Sequence, residues 1–251
     1  MLTEDLHPTE LGEAPLFIET LMLRSGELIR TELHRERMRY TLETELARRG
    51  EGARSPLLSR LCSSAPLAEV DRFLAQESLD PEKTYRLTLG YGLGGIVSLR
   101  LIPYERRVIR ALRPTLLPPN FDYSLKWADR SFFDQVKASM PRDEEPLFLR
   151  PDGTITDTSY TNVVVELSEG LFTPARPLLR GTQRSYLLRL GLIREDDALT
   201  LEKIQSARRL LLINALLPLD EAIELPPEAL IPSDLQRGKK GSTVDRLDDL
   251  R

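Results

Sequence analysis

Residues 152–165 read Asp152-Gly-Thr-Ile-Thr-Asp-Thr-Ser-Tyr-Thr-Asn-Val-Val-Val165. An Asp-Gly turn leads into a short polar segment holding Asp157 and Asn162, and then into an apolar strand over Val163 to Leu167. A carboxylate placed there, at the head of a buried strand, can accept a hydrogen bond from a protonated ring nitrogen. The plainer reading is a polar loop whose Asp and Asn satisfy their own backbone.

Upstream lies Phe121-Asp-Tyr-Ser-Leu-Lys-Trp-Ala-Asp-Arg-Ser131. The chain has six lysines, and only Lys126 falls where a linker meets a helix, between Leu125 and Trp127. Apolar neighbours desolvate an ammonium and lower its pKa, which a nucleophilic or Schiff-base lysine needs. A surface lysine snorkelling beside a tryptophan is the competing reading. Downstream, Leu178-Leu-Arg-Gly-Thr-Gln-Arg184 precedes a helix. Gly181 lets backbone approach closely, and the unpaired N–H groups around Thr182 and Gln183 suit a phosphate; Thr182 also reads as an ordinary N-cap. Near the start, His34-Arg-Glu-Arg-Met38 opens another helix, where an arginine can fork onto a phosphate or lie on a solvated basic face.

The rest of the chain supplies a frame. Leu16 to Leu23 is a strand, with Leu28 to Thr31 as its return after Ser25-Gly26. Met38, Leu42 and Leu46 mark a helix that stops at Gly50. Residues 51–64 read as loop and Leu67 to Ala75 as a short helix. Thr84 to Tyr91 and Val97 to Leu101 alternate as an antiparallel pair, and residues 106–112 read as a further strand. Phe132, Phe133, Val136 and Met140 mark a helix face. Strands are expected at 147–150, 163–167, 171–173 and 209–213, and helices at 182–191 and 200–207. The division that follows is an N-terminal α/β lobe over 1–112, a proline-rich linker over 113–122, a C-terminal lobe over 123–232 and a flexible tail over 233–251.

A chain of 251 residues with 41% hydrophobic and 29% charged residues is long enough for a sizeable core and too apolar for disorder. A net charge of −4 gives no overall drive toward nucleic acid or membrane, and Lys239 and Lys240 sit in a tail that also carries acidic residues. One cysteine, Cys62, excludes an internal disulfide. With only His7 and His34 beside it, a thiolate or imidazole zinc site is implausible, so no metal is expected. The opening residues lack a basic start followed by an apolar run, and the expectation is a cytoplasmic protein.

Together the four segments resemble, in order and spacing, the class IV (fold type IV) pyridoxal-phosphate enzymes, a family that includes branched-chain and D-amino-acid aminotransferases and aminodeoxychorismate lyase. The resemblance runs from about Phe17 to Leu219. Phe17-Ile-Glu-Thr-Leu21 and His-x-x-Arg-Met38 look like the family's opening strand and helix, which puts Arg37 on the phosphate. Lys126 lies on the Schiff-base lysine. Thr-Asp-Thr-Ser-Tyr-Thr-Asn162 resembles "T-E-G-S-x-S-N", which puts Asp157 on the pyridine nitrogen and Asn162 in the cofactor site. Leu179-Arg-Gly-Thr-Gln-Arg184 resembles the phosphate cup "L-P-G-I-T-R", with Gly181, Thr182 and Gln183. Ile-Asn-Ala-Leu-Leu-Pro218 is similar to the "N-A-L-M-P" of aminodeoxychorismate lyases and puts Asn214 and Ala215 on the other side of the phosphate. The departures are Asp157 for the usual glutamate, Asp129 and Ser131 after the lysine, and a cup without its proline and isoleucine.

The resemblance implies a two-lobed α/β fold with pyridoxal 5'-phosphate between a smaller N-terminal and a larger C-terminal lobe, a homodimer, and a small-molecule amino substrate. It implies a 4-amino-4-deoxychorismate lyase of folate biosynthesis that releases pyruvate and 4-aminobenzoate. A branched-chain or D-amino-acid aminotransferase is the alternative, and a non-catalytic relative that binds an anion is a further one. Arg24, Arg100 and Arg106 stand as unranked readers of the substrate carboxylates.

Overall fold

The computed structural model describes residues 16–50, 54–63 and 67–231. His7, Lys239, Lys240 and the expected tail over 233–251 lie outside the described residues.

The N-terminal half is built on an antiparallel sheet ordered β2-β1-β3-β4, from β1 (Phe17–Arg24), β2 (Glu27–Leu28), β3 (Thr84–Tyr91) and β4 (Ile96–Pro103). The alternating pair read from the sequence is β3 and β4, with Leu87 opposite Leu101 and Leu89 opposite Leu99. The return strand β2 is only two residues long. Ser25 and Gly26 both take positive φ, 50° and 78°, so the chain reverses in a tight turn of the kind that matches strand twist. The helix α1 (Thr31–Arg49) lays Met38 and Leu42 onto Phe17, Leu87 and Leu89.

The expected loop at 51–64 instead contains the helix α2 (Pro56–Cys62). The Ser55 hydroxyl accepts a hydrogen bond from the Leu58 N–H at 3.1 Å, and Pro56 occupies the first turn where its missing N–H costs nothing. Leu57 and Leu61 are its buried face. A third helix, α3 (Ala68–Leu74), follows as expected.

The strand expected at 106–112 forms later, as β5 (Ala111–Leu116), so residues 113–116 of the expected linker are strand. Its Pro114 is tolerated because β5 pairs with a single full strand, β6 (Glu144–Leu149), and proline can occupy an unpaired edge. The two strands are parallel, and the crossover between them carries Lys126 and then α4 (Ser131–Ala138).

A second sheet is ordered β11-β10-β7-β8-β9, from β7 (Asn162–Leu167), β8 (Gly170–Pro174), β9 (Arg194–Asp196), β10 (Arg209–Ile213) and β11 (Ile223–Leu225). The helices α5 (Thr182–Arg189) and α6 (Leu201–Gln205) connect its strands. Val163, Val165, Leu210 and Leu212 pack on Leu112, Leu147 and Leu149, whereas Val164, Leu211 and Ile213 pack on Leu187 and Ile193. Both faces of β7 and β10 are therefore covered, which is why their sequences are unbroken apolar runs rather than alternating ones. Among the described residues no helix is long and apolar enough to cross a membrane.

The crossover is fastened to the first sheet through backbone. The Ile18 N–H donates to the Lys126 carbonyl at 3.0 Å, and the Ala128 N–H donates to the Leu16 carbonyl at 2.9 Å. Between those bonds the Phe17 ring, fully buried, lies 4.7 Å from the Trp127 ring and 5.6 Å from Tyr91. A Phe17→Ala variant is expected to lose about 3–5 kcal/mol of stability in urea denaturation, the usual cost of emptying a buried aromatic site. A loss below about 1 kcal/mol would mean that the ring does not hold this junction.

Candidate active site

A cavity of about 300 Å³ opens between the first sheet and the loops that enter the second. Ile18, Thr20, Arg86 and Thr88 line it from β1 and β3, Arg37 from α1, and Lys126 from the crossover. The segment Asp157 to Asn162, the turn Leu178 to Thr182 and the loop Asn214 to Leu216 close the rest. Of the residues singled out by sequence, Arg37, Lys126, Asp157, Asn162, Gly181, Thr182, Asn214 and Ala215 thus meet at one place. Gln183 does not line this cavity; it borders a separate, more open depression with Arg30 and Tyr186.

Burial pushes the Lys126 ammonium down to about 7, helped by the nearby Arg37 and Arg130 guanidiniums and opposed by Glu19. Burial acts in the opposite sense on Asp157 and raises its carboxyl to about 6, against the hydrogen bonds it receives. The Leu179 N–H donates to one of its oxygens and the Asn162 side-chain N–H to the other, each at 2.9 Å. Asn162 also donates to the Leu179 carbonyl at 2.9 Å. It therefore clamps the carboxylate to the turn that precedes α5.

That turn cannot carry a side chain at Gly181. A Cβ there would stand 1.9 Å from Asn162 Oδ1, far inside van der Waals contact. Gly181 is also the N-cap of α5, with no side chain capping the helix, and Thr182, Gln183 and Arg184 behind it are buried. A buried helix start without a capping group leaves N–H donors and a positive dipole end for an anion. Thr182 Oγ1 lies 3.4 Å from His34 Nε2.

Arg37 reaches this turn, donating to the Arg180 carbonyl at 3.4 Å. Its other nitrogens fork onto both oxygens of Glu19, at 2.8 and 2.6 Å. His34 Nδ1 meets the same carboxylate at 2.7 Å. Glu19 is fully buried, which alone would raise its carboxyl; Arg37 and His34 outweigh burial and hold it at about 2. Glu19 was quoted in the opening motif but given no role. The signal was present, because an acid inside an apolar strand requires a buried cation.

Asn214 ties its own loop to the Asp157–Asn162 segment, accepting from the Leu216 N–H at 2.8 Å and donating to the Tyr160 carbonyl at 3.3 Å. The Arg30 guanidinium holds the neighbouring Ala215 carbonyl at 3.1 Å.

None of Arg24, Arg100 and Arg106 lines the cavity. Arg24 is paired with Glu221 at 2.7 Å, and Arg106 donates to the Ala222 carbonyl at 2.7 Å. Besides Arg37, the arginines of the wall are Arg86, Arg107 and Arg130. Arg130 donates to the Tyr123 hydroxyl and the Ser159 carbonyl, and Arg107 stacks over the Tyr160 ring at 4.7 Å with Glu145 at 3.6 Å. Among the described residues Arg86 Nε is buried without a hydrogen-bond partner, and burial together with Arg100 and Arg107 lowers its pKa. Strand alternation is the signal that finds Arg86: with Leu87 and Leu89 in the core, Arg86 and Thr88 face the other way.

Two measurements test this geometry. Gly181→Ala is expected to cost about 1–3 kcal/mol, and less in an Asn162→Ala background, because the colliding atom is then gone; equal costs in both backgrounds would contradict the contact. Lys126 binds its proton less tightly folded than unfolded, so its ammonium destabilises the fold below about pH 7, and that cost fades as pH rises toward the unfolded lysine value. Lys126→Met should therefore stabilise the cofactor-free protein near pH 6, with a gain that shrinks between about pH 7 and pH 10 in thermal unfolding. A gain independent of pH would contradict the lowered pKa.

Comparison with known proteins accords with this arrangement. The family model of class IV amino-transferases matches residues 85–219, more than half of the chain. An uncharacterized protein of Haemophilus influenzae is 28% identical over 202 residues, spanning 80% of this chain and 97% of that one. A crystal structure from Haemophilus somnus 129PT, provisionally named a 4-amino-4-deoxychorismate lyase, superposes with a TM-score of 0.67 at 25% identity, covering 82% of this chain and 98% of its own. A hypothetical aminotransferase of Mycobacterium tuberculosis, solved in a PLP-bound form, shares the fold with a TM-score of 0.62 at 18% identity, over 95% of this chain and 90% of its own. The chain folds as the two-lobed α/β enzymes of this group do and belongs to the class IV aminotransferase family, whose members are pyridoxal-phosphate-dependent enzymes.

Proposed function

We propose that this chain is a pyridoxal 5'-phosphate-dependent 4-amino-4-deoxychorismate lyase. The observation that carries the reading is the lining of one cavity, where a lysine amine near neutrality, a buried carboxylate, an uncapped helix start and four guanidiniums meet.

The residues present fit the cofactor. The N–H groups at the start of α5, with Arg37, suit its phosphate. Asp157 has one hydrogen bond on each oxygen and retains acceptor capacity for a ring nitrogen. Gly181 keeps the turn narrow, and Asn214 and Ala215 wall the opposite side. Bound there, pyridoxal phosphate supplies an electron sink for the carbon that bears the substrate amine.

Lys126 does the proton work. A pKa lowered to about 7 makes free amine available at neutral pH, able both to attack a carbonyl carbon and to accept a proton. It removes the proton from the ring carbon bearing the substrate amine and returns one to the departing enolpyruvyl carbon. Aminodeoxychorismate is thereby divided into 4-aminobenzoate and pyruvate with no other reactant. Asp157, with its carboxyl at about 6, is ionised at neutral pH and holds a proton on a ring nitrogen opposite it.

The guanidiniums favour the lyase over a branched-chain aminotransferase. Aminodeoxychorismate carries two carboxylates, whereas a branched-chain amino acid carries one and an apolar side chain. Among the described residues neither Arg86 nor Arg130 has a carboxylate within ion-pair distance, so the wall holds positive charge for a dianion to neutralise.

The test is incubation of the cofactor-loaded protein with aminodeoxychorismate. Pyruvate and 4-aminobenzoate are expected in equal amounts, and neither from Lys126→Ala. Arg86→Met should raise KM about tenfold or more, the size of one lost charge-assisted hydrogen bond. Amino transfer to 2-oxoglutarate without pyruvate release would replace the lyase by the aminotransferase. A protein that stays colourless with added cofactor would overturn both.

A further inference from the structure

The contacts behind the anion cup contain a conflict over one proton. Glu19 is a carboxylate and can only accept, so the 2.7 Å contact places a proton on His34 Nδ1. Burial lowers the His34 pKa, so the ring is neutral at neutral pH and its Nε2 has only a lone pair. The Thr182 hydroxyl, 3.4 Å away, is then the donor, and its single proton points at His34 rather than at the start of α5. A long contact of this kind is the sort that tightens when a site fills.

The charges around the ring set what happens when an anion arrives. From β1 there is Glu19; from α1 there is Arg37, with Arg30 at its N-cap; α5 presents Thr182. Glu19 favours a second proton on His34, and the two arginines oppose it. A dianion at the helix start adds negative charge on the Thr182 side and compensates the arginines.

We propose that filling the cup with a dianion is coupled to uptake of one proton on His34 Nε2. The ring then donates to Thr182 Oγ1, and the Thr182 hydroxyl turns its own proton to the anion. His34 is thus a positioning residue, acting on the anion through Thr182. The inference rests on reading the start of α5 as the cofactor's phosphate site.

Sulfate is a suitable probe, because it remains a dianion across the pH range in which histidine titrates. The chain has only two histidines, so 15N-histidine labelling of the full-length, cofactor-free protein gives two ring systems, and a His7→Gln variant assigns them. On addition of sulfate near neutral pH, His34 Nε2 is expected to move from the unprotonated to the protonated 15N range. Sulfate affinity should fall about tenfold per pH unit more steeply in the wild type than in His34→Gln, as one linked proton requires. Thr182→Val serves if His34→Gln does not fold: sulfate binds more weakly and Nε2 stays unprotonated, while Thr182→Ser restores both. Lys126 and Asp157 also titrate in this cavity, which is why the ring nitrogens and not the total proton count are the readout. Saturating sulfate with Nε2 still unprotonated in the wild type would overturn the coupling and leave the cup intact. Failure of sulfate to bind would overturn the cup and the coupling together.

Discussion

Glu19 is the group on which the site's construction depends. It is an ionised carboxylate with no exposure to water, a state that costs several kcal/mol unless cations and hydrogen bonds surround it. Arg37 and His34 supply them from successive turns of α1, and the same two side chains extend to Arg180 and Thr182 at the start of α5. One buried acid on β1 thereby fixes α1 against the first sheet and sets both against the helix that enters the second. Were Glu19 protonated, Arg37 would lose its fork and His34 the partner that determines its tautomer.

Burial raises both carboxylates of this site, and local partners decide whether the net shift is up or down. Glu19 and Asp157 are both buried carboxylates, yet one lies at about 2 and the other at about 6. The difference is a guanidinium against amide donors: Arg37 brings charge to Glu19, whereas Asn162 and the Leu179 N–H bring only dipoles to Asp157. Lys126, pushed down to about 7 by the same desolvation, forms with Asp157 a set whose proton affinities have converged toward neutrality. Such a set is unfavourable for folding and favourable for moving protons.

Much of this was legible in the sequence, and the limits have physical causes. Two of the four polar segments stood out because each broke a local rule: a lysine between apolar residues, and a glycine just before a helical pattern. Strong periodicity gave β3 to the residue, β4 to within two residues and the C-terminal end of α1, whose start at Thr31 falls where a return strand was expected. The helix α2 was missed although Ser55-Pro56 carried a cap and a first-turn proline, because only Leu57 and Leu61 made its short buried face. Pro114 concealed β5, since whether a proline ends a strand depends on whether its edge is paired, which is a tertiary fact. Arginines also resist ranking by sequence. Arg24 and Arg106 look as available as Arg86 until Glu221 and the Ala222 carbonyl are seen to occupy them.

The backbone seam between β1 and the crossover has a consequence for how the protein tolerates change. Leu16 and Ile18 are more than a hundred residues from Lys126 along the chain, yet their main-chain atoms hold the segment on which it sits. Side-chain identity matters little to such bonds, whereas strand register matters: an insertion of one residue within β1 would swap the faces of the strand on one side of it and displace the lysine's support. Along this seam a change of length disrupts more than a change of side chain, a signature separate from that of an ordinary core strand.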